Sequence, residues 1–101
     1  MNYNVKILPS AIEDLQQIYN YIAYELYSPD SAKKLYFKIA NAIQSLELFA
    51  ERYRVFSNED GYFTRRMLVD NYSVFYIIKG SNVIITSVLY SSRDLNEILK
   101  K

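Results

Sequence analysis

Residues 64–99 read TRRMLVDNYSVFYIIKGSNVIITSVLYSSRDLNEIL, and this stretch decides the fold. Runs rich in Val, Ile, Phe and Tyr are separated by Asp70-Asn71 and by Gly80-Ser81-Asn82, the pattern of consecutive hairpins. Strands are expected at 63–69, 72–79 and 83–90. Ser91 with Asp94 three positions later resembles a capping box and predicts a short helix carrying Leu95, Ile98 and Leu99.

Upstream, ERYRVFSNEDGY at 51–62 has no periodicity, and its Asn58-Glu59-Asp60-Gly61 cluster reads as a loop. Before it, Ser28 followed by Pro29 signals a helix start, since proline is tolerated in a first turn. That helix is expected to bury Ala32, Leu35, Tyr36, Ile39, Ile43 and Leu46. A preceding helix, opened by a capping box of Ser10 and Glu13, places Ile12, Leu15, Ile18, Tyr19, Ile22 and Leu26 on one stripe. Its opposite face holds Glu13, Asp14, Gln17, Asn20, Tyr21 and Tyr24. The two or three residues between the helices imply an antiparallel hairpin. Ahead of Pro9, alternation in YNVKIL at 3–8 reads as a first strand, with Tyr3, Val5 and Ile7 on one face.

The chain has 101 residues, enough for a single domain with a single core. Half of it is apolar and 23% is charged, which argues against disorder. It contains no cysteine, so disulfides, thiolate nucleophiles and Cys-type metal sites are excluded. It also contains no histidine, the usual base near neutral pH and the commonest metal ligand. With only Gly61 and Gly80, no glycine-rich phosphate cradle can form, and no cofactor or metal is implied. The amino terminus lacks the apolar core of a signal peptide, and no run approaches the roughly 20 apolar residues of a membrane span. A cytoplasmic protein with no membrane partner is expected.

The net charge of +1 argues against a protein that holds nucleic acid chiefly by neutralising phosphates. The charge is unevenly spread. Residues 1–50 carry four lysines, no arginine and five acids, whereas residues 51–101 carry eight basic residues and six acids. All five arginines, Arg52, Arg54, Arg65, Arg66 and Arg93, fall in the second half. Arginine is a planar, permanently charged fork suited to phosphate or carboxylate, so the five are candidates for binding a target; the alternative is a solvated rim. Strand alternation sends Arg65 to the face of Met67 and Val69, and Arg66 to that of Thr64 and Leu68. Either could instead form an ion pair with Asp70 or Glu97. At the end of the last strand, Tyr90, Ser91, Ser92 and Arg93 sit where a helix start would favour an anion; alternatively Ser91 merely caps that helix. Tyr72 and Tyr76 share one strand face. Of the eleven tyrosines, Tyr19, Tyr21, Tyr24 and Tyr36 fall on the helices, away from the arginines, which does not suit base stacking.

Three segments together are similar to a known family. They are A-x-x-D-L-x-x-I-x-x-Y-I at Ala11–Ile22, R-x-L-V-x-x-Y-x-V-F-Y at Arg66–Tyr76 and V-L-Y-x-x-R-D-L at Val88–Leu95. In order and spacing they resemble toxins of the RelE/ParE superfamily of bacterial type II toxin–antitoxin systems, nearer the ParE side. The resemblance implies a growth inhibitor held by a cognate antitoxin whose flexible segment orders on binding. ParE-like members poison DNA gyrase, and RelE-like members cut mRNA on the ribosome. For the nuclease branch the resemblance implies Arg66, Tyr90 and Arg93 as the catalytic set. Arg65, Arg66, Ser91, Ser92, Arg93, Arg52 and Arg54 are then the residues that hold phosphate or target. Ser73 stands where that branch carries an arginine and Tyr90 where many relatives carry His, so the nuclease set is incomplete. The expected fold is α+β, in the order β-α-α-β-β-β-α, with a mainly antiparallel sheet and a helical hairpin on one face. The expected function is gyrase poisoning, with a ribosome-dependent endoribonuclease and a non-toxic antitoxin-binding protein as the alternatives.

Overall fold

The computed structural model describes residues 2–59 and 61–91. Its elements run β1 (Asn4–Ile7), α1 (Pro9–Asn20), a π-helical turn (Tyr21–Glu25), α2 (Pro29–Phe49), a short 3-10 turn (Ala50–Arg52), β2 (Val55–Glu59), β3 (Tyr62–Val69), β4 (Tyr72–Lys79) and β5 (Asn82–Tyr90). The strands form one sheet in the order β1-β5-β4-β3-β2. All neighbours are antiparallel except β1, which pairs in parallel with β5. The mixed α+β fold and the helical hairpin agree with the sequence reading. The segment read as a loop at 51–62 differs, because Val55–Glu59 forms the edge strand β2. A bulge between Val55 and Ser57 breaks its alternation, which hides the period from a sequence scan. The predicted carboxy-terminal helix lies outside the described residues.

Hairpin geometry follows from the turn residues. Val69 pairs with Tyr72 and Lys79 with Asn82, leaving two-residue loops at Asp70-Asn71 and Gly80-Ser81. The first loop residue has positive φ in both, 53° at Asp70 and 62° at Gly80. Glycine adopts that region freely, and aspartate is among the few other residues that tolerate it.

The sheet buries one face against the hairpin. Met67, Val69, Val74, Tyr76, Val83, Ile85 and Val88 meet Ile39, Ile43 and Leu46 of α2 and Ala11 of α1 in one continuous core. The expected α2 stripe holds at Ala32, Ile39, Ile43 and Leu46, but Tyr36 is largely exposed. On α1 the buried stripe is rotated, since Ala11 is fully buried while Ile12 is exposed, and Leu26, beyond the π turn, is exposed as well.

That rotation has a specific cause. In β5, Phe75 pairs with Ser87 and Tyr76 with Ile85, so Thr86 is a bulged residue with no partner of its own. The polar groups freed by the bulge are taken up locally and by α1. Thr86 Oγ1 donates to the Phe75 carbonyl at 3.2 Å, Ser10 Oγ donates to the Thr86 carbonyl at 3.0 Å, and the Val88 N–H donates to Asp14 Oδ2 at 3.0 Å. Ser10 and Asp14 are one helical turn apart, so both reach the same bulge. The expected capping box at Ser10 and Glu13 is therefore not formed. Helix α1 starts instead at Leu8, whose carbonyl accepts from Ala11 and Ile12, with Pro9 in the first turn.

Replacing Asp14 with Ala removes the acceptor for the Val88 N–H. Leaving a buried donor unpaired costs about 1–3 kcal/mol, read as a lower urea midpoint at constant slope. An unchanged midpoint would show that the bulge does not depend on α1.

Candidate functional site

The arginines of the sequence reading are dispersed by the fold. Arg65 pairs across the sheet with Tyr76 and points to the helix side. There its Nη1 donates to the Tyr53 carbonyl at 2.7 Å and to the Glu51 carbonyl at 3.3 Å. The Tyr76 hydroxyl donates to the Ala50 carbonyl at 2.5 Å, and the Tyr3 hydroxyl donates to the Glu51 carboxylate. These groups receive the carbonyls that follow the end of α2, where a cation is also favoured by the helix dipole. Arg65 is thus committed to structure.

Arg66 faces the other way. It pairs with Phe75, its Nε donates to Ser73 Oγ at 2.8 Å, and its guanidinium lies 5.6 Å from the centroid of the Phe56 ring. Phe56 in turn meets Phe75 edge to face at 5.3 Å. Ser73 is fully buried, and its hydroxyl also pairs with that of Ser91. The Ser91 N–H donates to the Asn71 carbonyl at 2.6 Å. Arg66, Ser73 and Ser91 are therefore joined on the sheet face away from the hairpin. The sequence reading noted Ser73 only as standing in the place of an arginine and did not single out Phe56, which the β2 bulge concealed.

Tyr90 is placed differently. It pairs with Tyr72, with the two rings edge to face at 5.5 Å. Tyr72 shares its face with Val74 and Tyr76, so Tyr90 belongs to the helix side of the sheet and Arg66 to the opposite side. Arg65 is on the helix side but aligned with Tyr76, four residues along the strand from Tyr72, or about 13 Å. Of the remaining candidates, Arg52 stacks over Phe49 at 5.1 Å, and Arg54 is exposed and offers its carbonyl to the Arg66 N–H at 3.1 Å. Among the described residues, neither side chain makes a hydrogen bond to Arg66 or Ser73. Ser92, Arg93 and Glu97 lie outside the described residues. Asp70 pairs with Lys38 at 2.7 Å rather than with an arginine.

The helix side also holds a groove of about 1000 Å³ between the hairpin and the Tyr72–Tyr90 end of the sheet. Its walls include Ile18, Tyr21, Leu26, Leu35, Tyr72 and Tyr90. Tyr72 titrates above its ordinary range, first because it is buried and then because Tyr90 and Tyr21 stand close. It is a hydrogen-bonding group and not a base at neutral pH.

Residues 5–95 match the family model of the ParE toxin of type II toxin–antitoxin systems, parDE. The chain belongs to the ParE toxin family. Three solved structures share the fold. A chromosomal ParDE system of Pseudomonas aeruginosa superposes with TM-score 0.75 at 22% identity, over 89% of this chain and 97% of that one. The RelBE2 toxin–antitoxin complex of Mycobacterium tuberculosis gives 0.58 at 20% identity, over 89% and 99%. The YoeB dimer of Staphylococcus aureus gives 0.56 at 21% identity, over 91% and 100%. No curated protein matches the sequence. Among the described residues, no helix of this ParE family member is long and apolar enough to cross a membrane.

Burial pushes the Tyr76 hydroxyl up to about 12 from the ordinary 10.0. The folded protein keeps this proton above pH 10, where the unfolded chain loses it, so the stabilisation is complete below pH 10 and disappears as pH rises to about 12. Urea midpoints should fall across that window, and Tyr76→Phe should flatten the fall while lowering stability at neutral pH. An identical alkaline slope in both proteins would contradict the assignment.

Proposed function

We propose that this ParE-type toxin arrests growth in the cytoplasm by poisoning DNA gyrase, and that a cognate antitoxin neutralises it. One observation carries the choice of target: Arg66 and Tyr90 stand on opposite faces of the sheet. A general acid must come within hydrogen-bond reach of the group it protonates, and a phosphate held by Arg66 is not within reach of a hydroxyl across the sheet. Two further features support this reading. Ser73 replaces the arginine of the nuclease branch and is buried as the hydrogen-bond partner of Arg66. Arg65, the nearest other guanidinium in sequence, is occupied by backbone carbonyls.

The antitoxin reading draws support from the family and from the two structural relatives described as a ParDE system and a RelBE2 complex. The groove beside Tyr72 and Tyr90 offers an apolar surface of the kind that an amphipathic helix fills. On the other sheet face, the Arg66 guanidinium, whose Nη groups meet no acceptor among the described residues, and the exposed Leu68 form a surface for the target.

Induced without its antitoxin, the chain should stop growth with broken chromosomal DNA and intact mRNA, and Tyr90→Phe should be as toxic as the parent. If Tyr90 were a proton donor in mRNA cleavage, loss of its hydroxyl would lower activity by about 10²–10⁴-fold. Truncated mRNA on ribosomes, or loss of toxicity in Tyr90→Phe, would overturn the proposal. Absence of any growth defect at high expression would favour a non-toxic binding protein.

A further inference from the structure

A net charge of +1 conceals an uneven distribution over the folded surface. Lys6, in register with Ile84, and Lys79, in register with Asn82, lie on the same sheet face as Arg66, the face turned away from the hairpin. None of the strand side chains described on that face is acidic. The helical layer, by contrast, carries Glu13, Asp14, Glu25, Asp30 and Glu47. Among the described residues the one ion pair joins Lys38 to Asp70, so the three cations of the open face hold uncompensated charge.

The strands set the spacing of these cations. With about 4.8 Å between strands and about 3.3 Å per residue, the Cα atoms of Lys6, Lys79 and Arg66 form a triangle with sides of roughly 12–16 Å. The major groove of duplex DNA is about 12 Å wide, so three such groups can meet phosphates on both of its rims. Between them the surface is neutral, with Thr64, Ile77 and Ile84 half-buried. Lys6 and Lys79 are exposed, and Arg66 is held at its Nε by the buried Ser73.

Bases are not served in the same way. A single strand is held largely by stacking its bases on open aromatic rings. Here Phe75 is buried and meets Phe56, the Arg66 guanidinium lies over Phe56, and Lys79 Nζ stands 5.7 Å from the centroid of the Tyr62 ring. The rings of this face are occupied by one another or by its cations. It offers charge without a stacking platform, which suits a duplex whose bases are already stacked inside.

We propose that the open sheet face binds the phosphate backbone of duplex DNA through Lys6, Arg66 and Lys79, without reading its sequence. The proposal deepens the gyrase reading and rests on it: the contact is made to the DNA on which gyrase acts. Three phosphate contacts are weak alone, but a chain already held by the enzyme meets that DNA at high effective concentration.

The test is fluorescence anisotropy of a short fluorescein-labelled duplex of mixed sequence, titrated with the full chain from low to physiological salt. Three contacts predict that log Kd rises with log salt with a slope of about 2–3. Lys6→Gln combined with Lys79→Gln should lower that slope by about 2 and weaken low-salt binding about tenfold or more. Lys33→Gln combined with Lys34→Gln removes the same formal charge from α2 and should leave the slope unchanged. Arg66→Gln should lower the slope by about 1 while the far-ultraviolet circular dichroism stays native. No binding at low salt, an unchanged slope in the Lys6 and Lys79 pair, or equal losses in the two lysine pairs would overturn the proposal. Tighter binding of single-stranded RNA would overturn it in favour of RNA, and equally tight binding of polyglutamate in favour of an acidic protein surface. Gyrase supercoiling is measured separately. A chain that poisons gyrase without binding the duplex defeats this proposal alone, and one that binds the duplex but leaves gyrase unaffected defeats the gyrase reading while the DNA-binding face stands.

Discussion

The structure depends on how the end of a 21-residue helix is fastened to the sheet. Helix α2 and the 3-10 turn after it finish with carbonyls that have no helical partner, and that of Ala50 is buried where water cannot serve it. Arg65 and Tyr76 supply the donors from β3 and β4, and the Tyr3 N–H adds a third on the Glu47 carbonyl from the start of β1. Three strands are thereby tied to one helix terminus. The register of β3 against β4 places Arg65 opposite Tyr76, so both arrive at the same place. A slip of one residue would send the Arg65 guanidinium to the far face and put Thr64 or Arg66 opposite Tyr76 in its place.

The same alternation settles what the second arginine can do. With Arg65 fixed inward, Arg66 must point outward, where Ser73, Phe56 and Phe75 hold it. Tyr90 is drawn to the inner face by its pairing with Tyr72. A fold with these three constraints has two separate surfaces: an aromatic groove on the helix side and an arginine-bearing face on the other. Neither gathers a base, an acid and a phosphate-binding cation among the described residues. This arrangement supports the proposed action by holding a target.

How much of this was legible in the sequence depended on period. The strands β3, β4 and β5 carry unbroken alternation with turn residues between them, and their bounds were readable to within a residue or so. β2 was not, since its bulge removes the alternation in five residues. The Ser10 and Glu13 pair had the spacing of a cap, yet the serine was drawn to a bulge 76 residues away, a tertiary demand that no local rule contains. Ile12 looked like core because it is apolar, and Ala11 was overlooked because it is small, although the close approach of α1 to β5 requires the small residue. For the site, the sequence correctly divided Arg65 from Arg66 by face. It could not show that Tyr90 shares the face of the first, because that follows from register across two hairpins.

The central claim is that this chain acts on gyrase by binding and carries no nuclease centre. The direct measurement incubates the purified chain with gyrase, ATP and relaxed plasmid, beside a parallel reaction with programmed ribosomes and mRNA. The account predicts loss of supercoiling and accumulation of linear DNA after protein is removed, with the mRNA uncut. Unimpaired supercoiling together with mRNA cleaved in the ribosomal A site would contradict it.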